Sequence, residues 1–390
     1  MLPSIIRCLI VAVVWSGLSS ASAGAATYSV NNRSIPGVFP GAVLTQHVIR
    51  LSGPLLEGDS DRLRDLLQPL RRSDPDEPLA TVELNSPGGD LLEGMKIGYL
   101  LREFDVASVI RKGDLCLSAC ALAFLGGTTH HAPPSATPSC TIEYGGQLAF
   151  HNFSLNPASL EALSRDSAAS SRIRGFDEAR GGAARIVRYA ADMGIDPGFV
   201  ARMLGRPPEE FDYVDTVEKY LVLHACPFNL KRPPVSVATQ ATNLCNHAIG
   251  NTGSASPMQA EQMSSRHARL RLLEHLQGSL ASANLRGSLA TQLAAVLASR
   301  DDRLIEAVYD ELRAAGVALP ELFGQHFEVG GYRLGGQQAT CFVSMSLDDS
   351  DKYDVVVMDP KGFTRAALSA PARCPRLLIY DDEDVINPRR

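Results

Sequence analysis

Hydrophobic and polar positions alternate along this chain in two distinct rhythms. Ala42 to Leu51 alternates enough to predict a strand, and Asp59 to Arg72 carries leucines at 63, 66, 67 and 70, a helical spacing. Ala80 to Leu84 is an apolar strand that runs into Asn85-Ser86-Pro87-Gly88-Gly89. Asp90 to Arg102 reads as a helix and Val106 to Ile110 as a short strand. Cys120 to Leu125 is an apolar helical segment stopped by Gly126-Gly127, and Gln147 to Phe150 is a strand that delivers His151. Residues 157 to 204 are mostly helical, with a stop at Gly194 and a restart at Asp196-Pro197. Strands and helices in this alternation predict an α/β domain with a largely parallel sheet.

The pattern changes on either side of that domain. Residues 24 to 40 are rich in Gly, Ser, Pro and Asn and read as a loose lead-in. Residues 229 to 264, rich in Pro, Ser, Thr, Asn and Gln, read as a linker. Arg266 to Ala314 turns helical, with leucines at 270, 272, 273, 276, 280 and 285. Glu328 to Asp381 reads as a small β unit, with strands near Ala339 to Met345, Tyr353 to Met358 and Arg376 to Tyr380. The expected organisation is therefore 1–23, 40–228, 229–264, 265–325 and 326–390. Neither of the last two segments carries a motif with an assignable chemistry, and the basic side of Arg266 to Leu276 reads as a solvated face.

The first 23 residues predict a compartment. Arg7 is a positive n-region, Cys8 to Trp15 is an unbroken apolar run, and Ala21-Ser22-Ala23 supplies small residues for cleavage. The run falls short of the roughly 20 residues that a membrane-spanning helix needs. The expectation is a cleaved signal peptide and a periplasmic or secreted protein with no integral membrane segment afterwards. Cleavage removes Cys8 and the only Trp, leaving Cys116, Cys120, Cys140, Cys226, Cys245, Cys341 and Cys374 as disulfide candidates. Cys226 with Cys245 and Cys341 with Cys374 are the expected pairs. One of the trio Cys116, Cys120 and Cys140 is then left free, and Cys140 is the expected one. With 390 residues, two or three domains are expected. The 45% hydrophobic content excludes wholesale disorder, and the net charge of −6 argues against nucleic acid as a partner.

Two segments carry candidate chemistry. Pro87-Gly88-Gly89 between a strand and a helix exposes backbone N–H groups that can stabilise an oxyanion. Ser118, within Cys116-Leu117-Ser118-Ala119-Cys120, sits where a strand turns into a helix, so its hydroxyl is exposed and the N–H of Ala119 is a second oxyanion donor. His151, at a strand end, is positioned to act as a general base. Each feature alone has a plainer reading: a turn, a helix N-cap and a structural histidine.

In order and spacing, Ser86-Pro87-Gly88-Gly89, then Ser118 in a small-residue segment, then a His on a strand resembles the Clp protease/crotonase-like fold family. The nearest likenesses are the Clp proteolytic subunit and signal peptide peptidase A, and an exported branch shares the Cys-x-Ser-Ala-Cys form. Leu51-Ser52-Gly53 with Gly58-Asp59 is similar to the family's opening strand and first helix. The resemblance covers roughly residues 45 to 225.

It implies a repeated ββα superhelix core with Ser118 as nucleophile and His151 as base. The oxyanion hole would be built from the N–H of Gly89, or of Gly88 beside it, and that of Ala119. The reaction implied is hydrolysis of a peptide or protein substrate through an acyl-enzyme, without cofactor or metal, in a homo-oligomer.

The match departs from the family in three places. The Ser-to-His interval is long, with an extra stretch near His130 to Cys140. The triad acid falls in a window holding Glu209, Glu210, Asp212 and Asp215, where Glu210 and Asp212 are the first candidates and a Ser–His dyad without an acid is a third possibility. Ser118 is flanked by two cysteines, which suggests a disulfide around the Ser turn. A cysteine nucleophile, or a zinc site on Cys116, Cys120, Cys140 and His130 or His131, are other readings of these residues. The main alternative function is a catalytically inactive binding or assembly protein that keeps the fold.

Overall fold

The computed structural model describes residues 24–36, 43–72, 77–132, 135–152, 168–230, 235–250, 259–285, 288–365 and 374–389. The expected signal peptide lies outside the described residues. The fold is mixed α/β.

The first sheet holds β1 (Thr27–Pro36), β2 (Val43–Ser52), β3 (Ala80–Asn85), β4 (Val106–Ile110), β8 (Cys140–Glu143) and β11 (Ala225–Phe228), in the order β1-β2-β3-β4-β8-β11. The pairs from β2 to β11 are parallel, and β1 is antiparallel on the edge. β3 and β4 are buried along nearly their whole length, as strands covered on both faces must be. Helices α1 (Asp59–Leu67), α2 (Leu91–Glu103) and α3 (Ala119–Phe124) lie within the same core.

A second sheet stands beside the first. It contains β5 (Leu115–Leu117), β9 (Gln147–Phe150) and β10 (Asp212–Tyr213), in the order β10-β9-β5. Between α3 and β8 the chain makes a hairpin, β6 (Thr128–Ala132) with β7 (Ser135–Pro138). Helices α4 (Ala168–Asp192), α5 (Pro197–Leu204) and α6 (Val217–Val222) follow β9. The fully buried Tyr189 of α4 donates from its hydroxyl to the carbonyl of Leu122 in α3 at 2.6 Å, which satisfies the polar tip of a large buried side chain.

The C-terminal half is a third sheet, antiparallel throughout: β12 (Gln259–Met263), β13 (Gln325–Leu334), β14 (Gln337–Met345), β15 (Tyr353–Asp359) and β16 (Gly362–Arg365). Its central strands are buried on both faces. Val355 and Val357 join the main core with helix α7 (Val237–Ile249), whereas Val356 and Met358 join a second core under α8 (Ser265–Gly278), α9 (Leu289–Ser299) and α10 (Asp302–Ala314). That two-sided burial explains why β15 reads as a continuous apolar run rather than an alternation.

Several sequence expectations are corrected. The lead-in is β1, whose side chains are mostly exposed and so leave no apolar rhythm. The linker contains α7 and β12, and Ala241, Leu244 and Cys245 of α7 are fully buried. Arg376 to Tyr380 falls on a 3-10 turn, Pro375–Ile379, rather than a strand.

The outer cysteines pair as Cys226–Cys374 and Cys245–Cys341, in place of Cys226 with Cys245 and Cys341 with Cys374. The reason is spatial: α7 packs on the third sheet, which brings Cys245 to β14, while β11 lies beside the turn that holds Cys374. These bonds close loops with sequence separations of 148 and 96. Each stabilises by about 4–5 kcal/mol on a chain-entropy argument. Non-reducing peptide mapping is expected to recover these two cross-links, and replacing Cys245 and Cys341 together by Ser is expected to lower the unfolding midpoint substantially.

Candidate active site

Ser118 sits at a backbone corner. Leu117 ends β5, Ala119 begins α3, and between them Ser118 adopts φ 56°, ψ −123°. A non-glycine residue is rarely found there, and holding it costs of order 1–3 kcal/mol. The corner is fixed on both sides. Leu117 donates its N–H to the carbonyl of Ser86 at 3.1 Å, and Ser118 donates its own to the carbonyl of Ala149 on β9 at 3.1 Å. The Cys116–Cys120 disulfide, fully buried, ties the strand before Ser118 to the helix after it. Among the described residues the Ser118 hydroxyl has no hydrogen-bond partner, and the residue is half-buried.

The Pro87-Gly88-Gly89 turn lies against this corner. A Cβ added to Gly88 (φ 99°) would sit 2.7 Å from the Cβ of Ser118 and 3.2 Å from the N of Ala119. One added to Gly89 (φ 144°) would sit 2.1 Å from the carbonyl oxygen of Leu55. The two glycines are therefore required for both conformation and space. Their N–H groups differ. Gly88 donates to the Oγ of Ser86 at 3.1 Å, whereas the N–H groups of Gly89 and Ala119 have no acceptor among the described residues. Gly89 and Ala119 are thus the free pair of donors beside Ser118.

His151 follows β9, which pairs in parallel with β5. Leu117 is level with Ala149, so Ser118 and His151 leave two adjacent strands one residue apart in register. The imidazole is oriented by a backbone group: its Nδ1 lies 2.5 Å from the carbonyl oxygen of Pro208. A carbonyl only accepts, so Nδ1 carries a proton, and in the neutral ring the lone pair is on Nε2. Phe211 flanks the ring, with centroids 4.4 Å apart and a 30° tilt. Asn152 donates to the carbonyl of Leu204 at 2.9 Å, so two successive side chains hold the strand end to the turn after α5. That turn owes its shape to Pro207-Pro208: neither residue has an N–H, and Glu210 donates its N–H to the carbonyl of Pro207 at 3.0 Å, leaving the next carbonyl for His151.

The acid candidates lie elsewhere. Glu209 and Glu210 are exposed. Asp212 is buried and directly opposite Phe150, but its carboxylate pairs with Lys219 at 2.9 Å and Arg206 at 3.5 Å. Asp215 pairs with Lys219 at 2.9 Å and Arg389 at 3.0 Å. Burial pushes the Asp215 carboxyl up, but the two cations outweigh it and hold it below the ordinary range. Among the described residues none of the four carboxylates contacts the imidazole. The group that does, the carbonyl of Pro208, could be anticipated only from the paired prolines.

Asp382 to Arg389 reinforce this corner. Val217 and Glu218 donate their N–H groups to the carbonyls of Asp384 and Asp382, and Ile386 donates to that of Asp215. Asn387 donates to the carbonyl of Gly146 at 2.7 Å, just before β9. The segments that carry His151 and its flanking turn are thereby tied to a strap from the far end of the described chain.

Cys140 is the free thiol among the described cysteines. It lies under α3, donating from Sγ to the carbonyl of Phe124 at 3.1 Å, and burial pushes its pKa up to about 11. It is a protonated core thiol rather than a nucleophile. The disulfide takes Cys116 and Cys120 out of both the thiol-nucleophile and the zinc readings. Among the described residues no group of three or more metal-ligating side chains occurs, and no helix is long and apolar enough to cross a membrane.

No protein-family model matches the chain, and no curated protein matches it.

Two measurements test the corner itself. Ser118→Gly is expected to be more stable than Ser118→Ala by about 1 kcal/mol in urea unfolding, because both lack the hydroxyl and only alanine keeps the strain. Gly89→Ala is expected to cost about 3 kcal/mol, since its Cβ meets the Leu55 backbone.

Proposed function

We propose that this chain is an exported serine peptidase of the Clp/crotonase-like fold, hydrolysing peptide bonds of a peptide or protein substrate. One observation carries the reading. Ser118, with a free hydroxyl on a strained strand-to-helix corner, lies beside two acceptor-free N–H groups, and His151, one residue further along the adjacent strand, has its Nδ1 held by the carbonyl of Pro208. A strained residue that the surrounding structure over-determines is a mark of function. The three disulfides among the described residues support an oxidising compartment, periplasmic or secreted, reached through the cleaved signal peptide. Assembly into a homo-oligomer is part of the same reading and rests on the family resemblance alone.

In the proposed mechanism the Oγ of Ser118 attacks the scissile carbonyl carbon, and Nε2 of His151 takes the hydroxyl proton. The negative charge that develops on the carbonyl oxygen is met by the N–H groups of Gly89 and Ala119. His151 then returns the proton to the leaving amine, and water hydrolyses the acyl-enzyme by the same steps. The carbonyl of Pro208 supplies one part of what a triad acid supplies. It fixes the tautomer and the ring orientation, while its partial charge stabilises the imidazolium less than a carboxylate would.

That deficit is the observation favouring the second reading, a catalytically inactive binding or assembly protein. Labelling decides between the two. A fluorophosphonate probe on oxidised protein is expected to form an adduct mapped to Ser118, slowed by about 10²–10⁴ in His151→Ala, with peptide hydrolysis lost in Ser118→Ala. Glu210→Gln is expected to leave turnover within about twofold, since an exposed carboxylate away from the imidazole adds little. An unmodified Ser118 after prolonged exposure would favour the inactive protein.

A further inference from the structure

A serine–histidine hydrogen bond lies in the C-terminal half, outside the site described above. β12 ends at Met263, directly opposite His326 at the start of β13. Ser264 then caps α8, its Oγ accepting from the N–H of His267 at 3.3 Å, and Ser265 is the first helical residue, with its side chain exposed. The Oγ of Ser265 lies 2.9 Å from Nε2 of His326, an imidazole only 2% exposed. The Nδ1 of the same ring lies 3.1 Å from the Oγ of Ser344 on β14.

The proton positions follow from this chain of bonds. Ser344 donates its one hydroxyl proton to the carbonyl of Phe323 at 2.9 Å, and its oxygen accepts the N–H of Phe323 at 2.9 Å. Towards His326 it can therefore only accept, so Nδ1 carries the ring proton. Burial, with Arg269 nearby, pushes the imidazole below its ordinary pKa, so the ring is neutral at pH 7. Nε2 then holds a lone pair, and Ser265 is the donor in its contact with it. The hydroxyl of an exposed serine is thus hydrogen-bonded to a neutral imidazole of fixed tautomer, the relation of an activated nucleophile to its base. The N–H groups of Ser265 and Arg266, in the first turn of a 14-residue helix, have no acceptor among the described residues. They are placed to meet negative charge.

We propose that Ser265 is a second nucleophilic serine of this chain, with His326 as its general base, and that it accepts acyl groups from small activated esters. The Oγ of Ser265 attacks the ester carbonyl carbon while its proton passes to Nε2 of His326. The bond to the leaving alcohol oxygen breaks, and that oxygen takes the proton from Nε2. Water adds to the acyl-Ser265 ester by the reverse transfers, releasing the carboxylic acid and restoring the hydroxyl. No oxidant, reductant or metal enters the balance.

The test uses full-length oxidised protein carrying Ser118→Ala, so that the first site is silent whatever its own activity. The protein is treated with a fluorophosphonate, and adducts are located by peptide mass mapping. The expected result is an adduct on Ser265, absent when Ser265→Ala is added and formed at least about 100-fold more slowly with His326→Gln. Failure of Ser265 to react in the folded Ser118→Ala protein would overturn the proposal, even if His326→Gln does not fold. Equal rates with and without a folded His326→Gln change would overturn the base assignment. Neither result bears on Ser118, whose reactivity is read in the wild-type chain.

Discussion

Everything at the proposed active site depends on how a three-residue strand is held. β5 is too short to be stable alone, and its two edges are occupied by different parts of the molecule. Ser86, just past β3, takes one edge, and β9 takes the other. The first contact brings the Pro-Gly-Gly turn against Ser118, and the second brings His151 to the neighbouring strand end. A one-residue slip on either edge would turn alternate side chains to the other face and separate Ser118 from His151 or from the Pro-Gly-Gly turn. The Cys116–Cys120 bond removes the remaining freedom, and the unusual φ of Ser118 persists because these constraints agree.

The same economy explains why the site needs residues far away in sequence. His151 is one residue beyond its strand, where the ladder no longer supports it. The turn at Pro207-Pro208 holds its imidazole, the next strand pairs with β9, and Asp382 to Arg389 clasp the segment that follows. Lys219 is shared between Asp212 and Asp215, and Arg206 and Arg389 complete that cluster. These carboxylates neutralise neighbouring cations and are therefore committed to architecture, which leaves a main-chain oxygen to orient the histidine.

Much of the α/β half was legible in the sequence because its signals are local. The apolar strands at Ala80 and Val106, the leucine spacing of α1 and the strand that delivers His151 are all carried by side-chain type. The Ser118 corner was legible because small residues and glycines are needed wherever backbones crowd. What remained hidden was encoded otherwise. β1 is an edge strand with exposed side chains, so nothing in its composition separates it from a loop. α7 lies in polar-rich sequence and buries a narrow stripe, Ala241, Asn243, Leu244 and Cys245, one of them polar. The group that orients His151 is a carbonyl, which every residue possesses and no letter records. His326 is brought to Ser265 by the pairing of β12 with β13 across sixty residues of intervening chain.

The disulfide pattern has a consequence for biogenesis. Cys226–Cys374 encloses Cys245–Cys341, so the bonds are nested: the inner one joins neighbours in the cysteine order and the outer one skips over both of them. A chain oxidised as it emerges meets Cys140, Cys226 and Cys245 well before Cys341 and Cys374. Cys116 and Cys120 emerge earlier still and can pair natively, but any bond Cys226 makes before Cys374 appears, with Cys140 or Cys245, is non-native. A chain that has taken such a bond reaches the final pattern by exchange, each step an attack by a thiolate on the mistaken bond. Burial of Cys140 then works as a one-way latch: once α3 closes over it, the thiol that could reopen the pattern is protonated and out of reach.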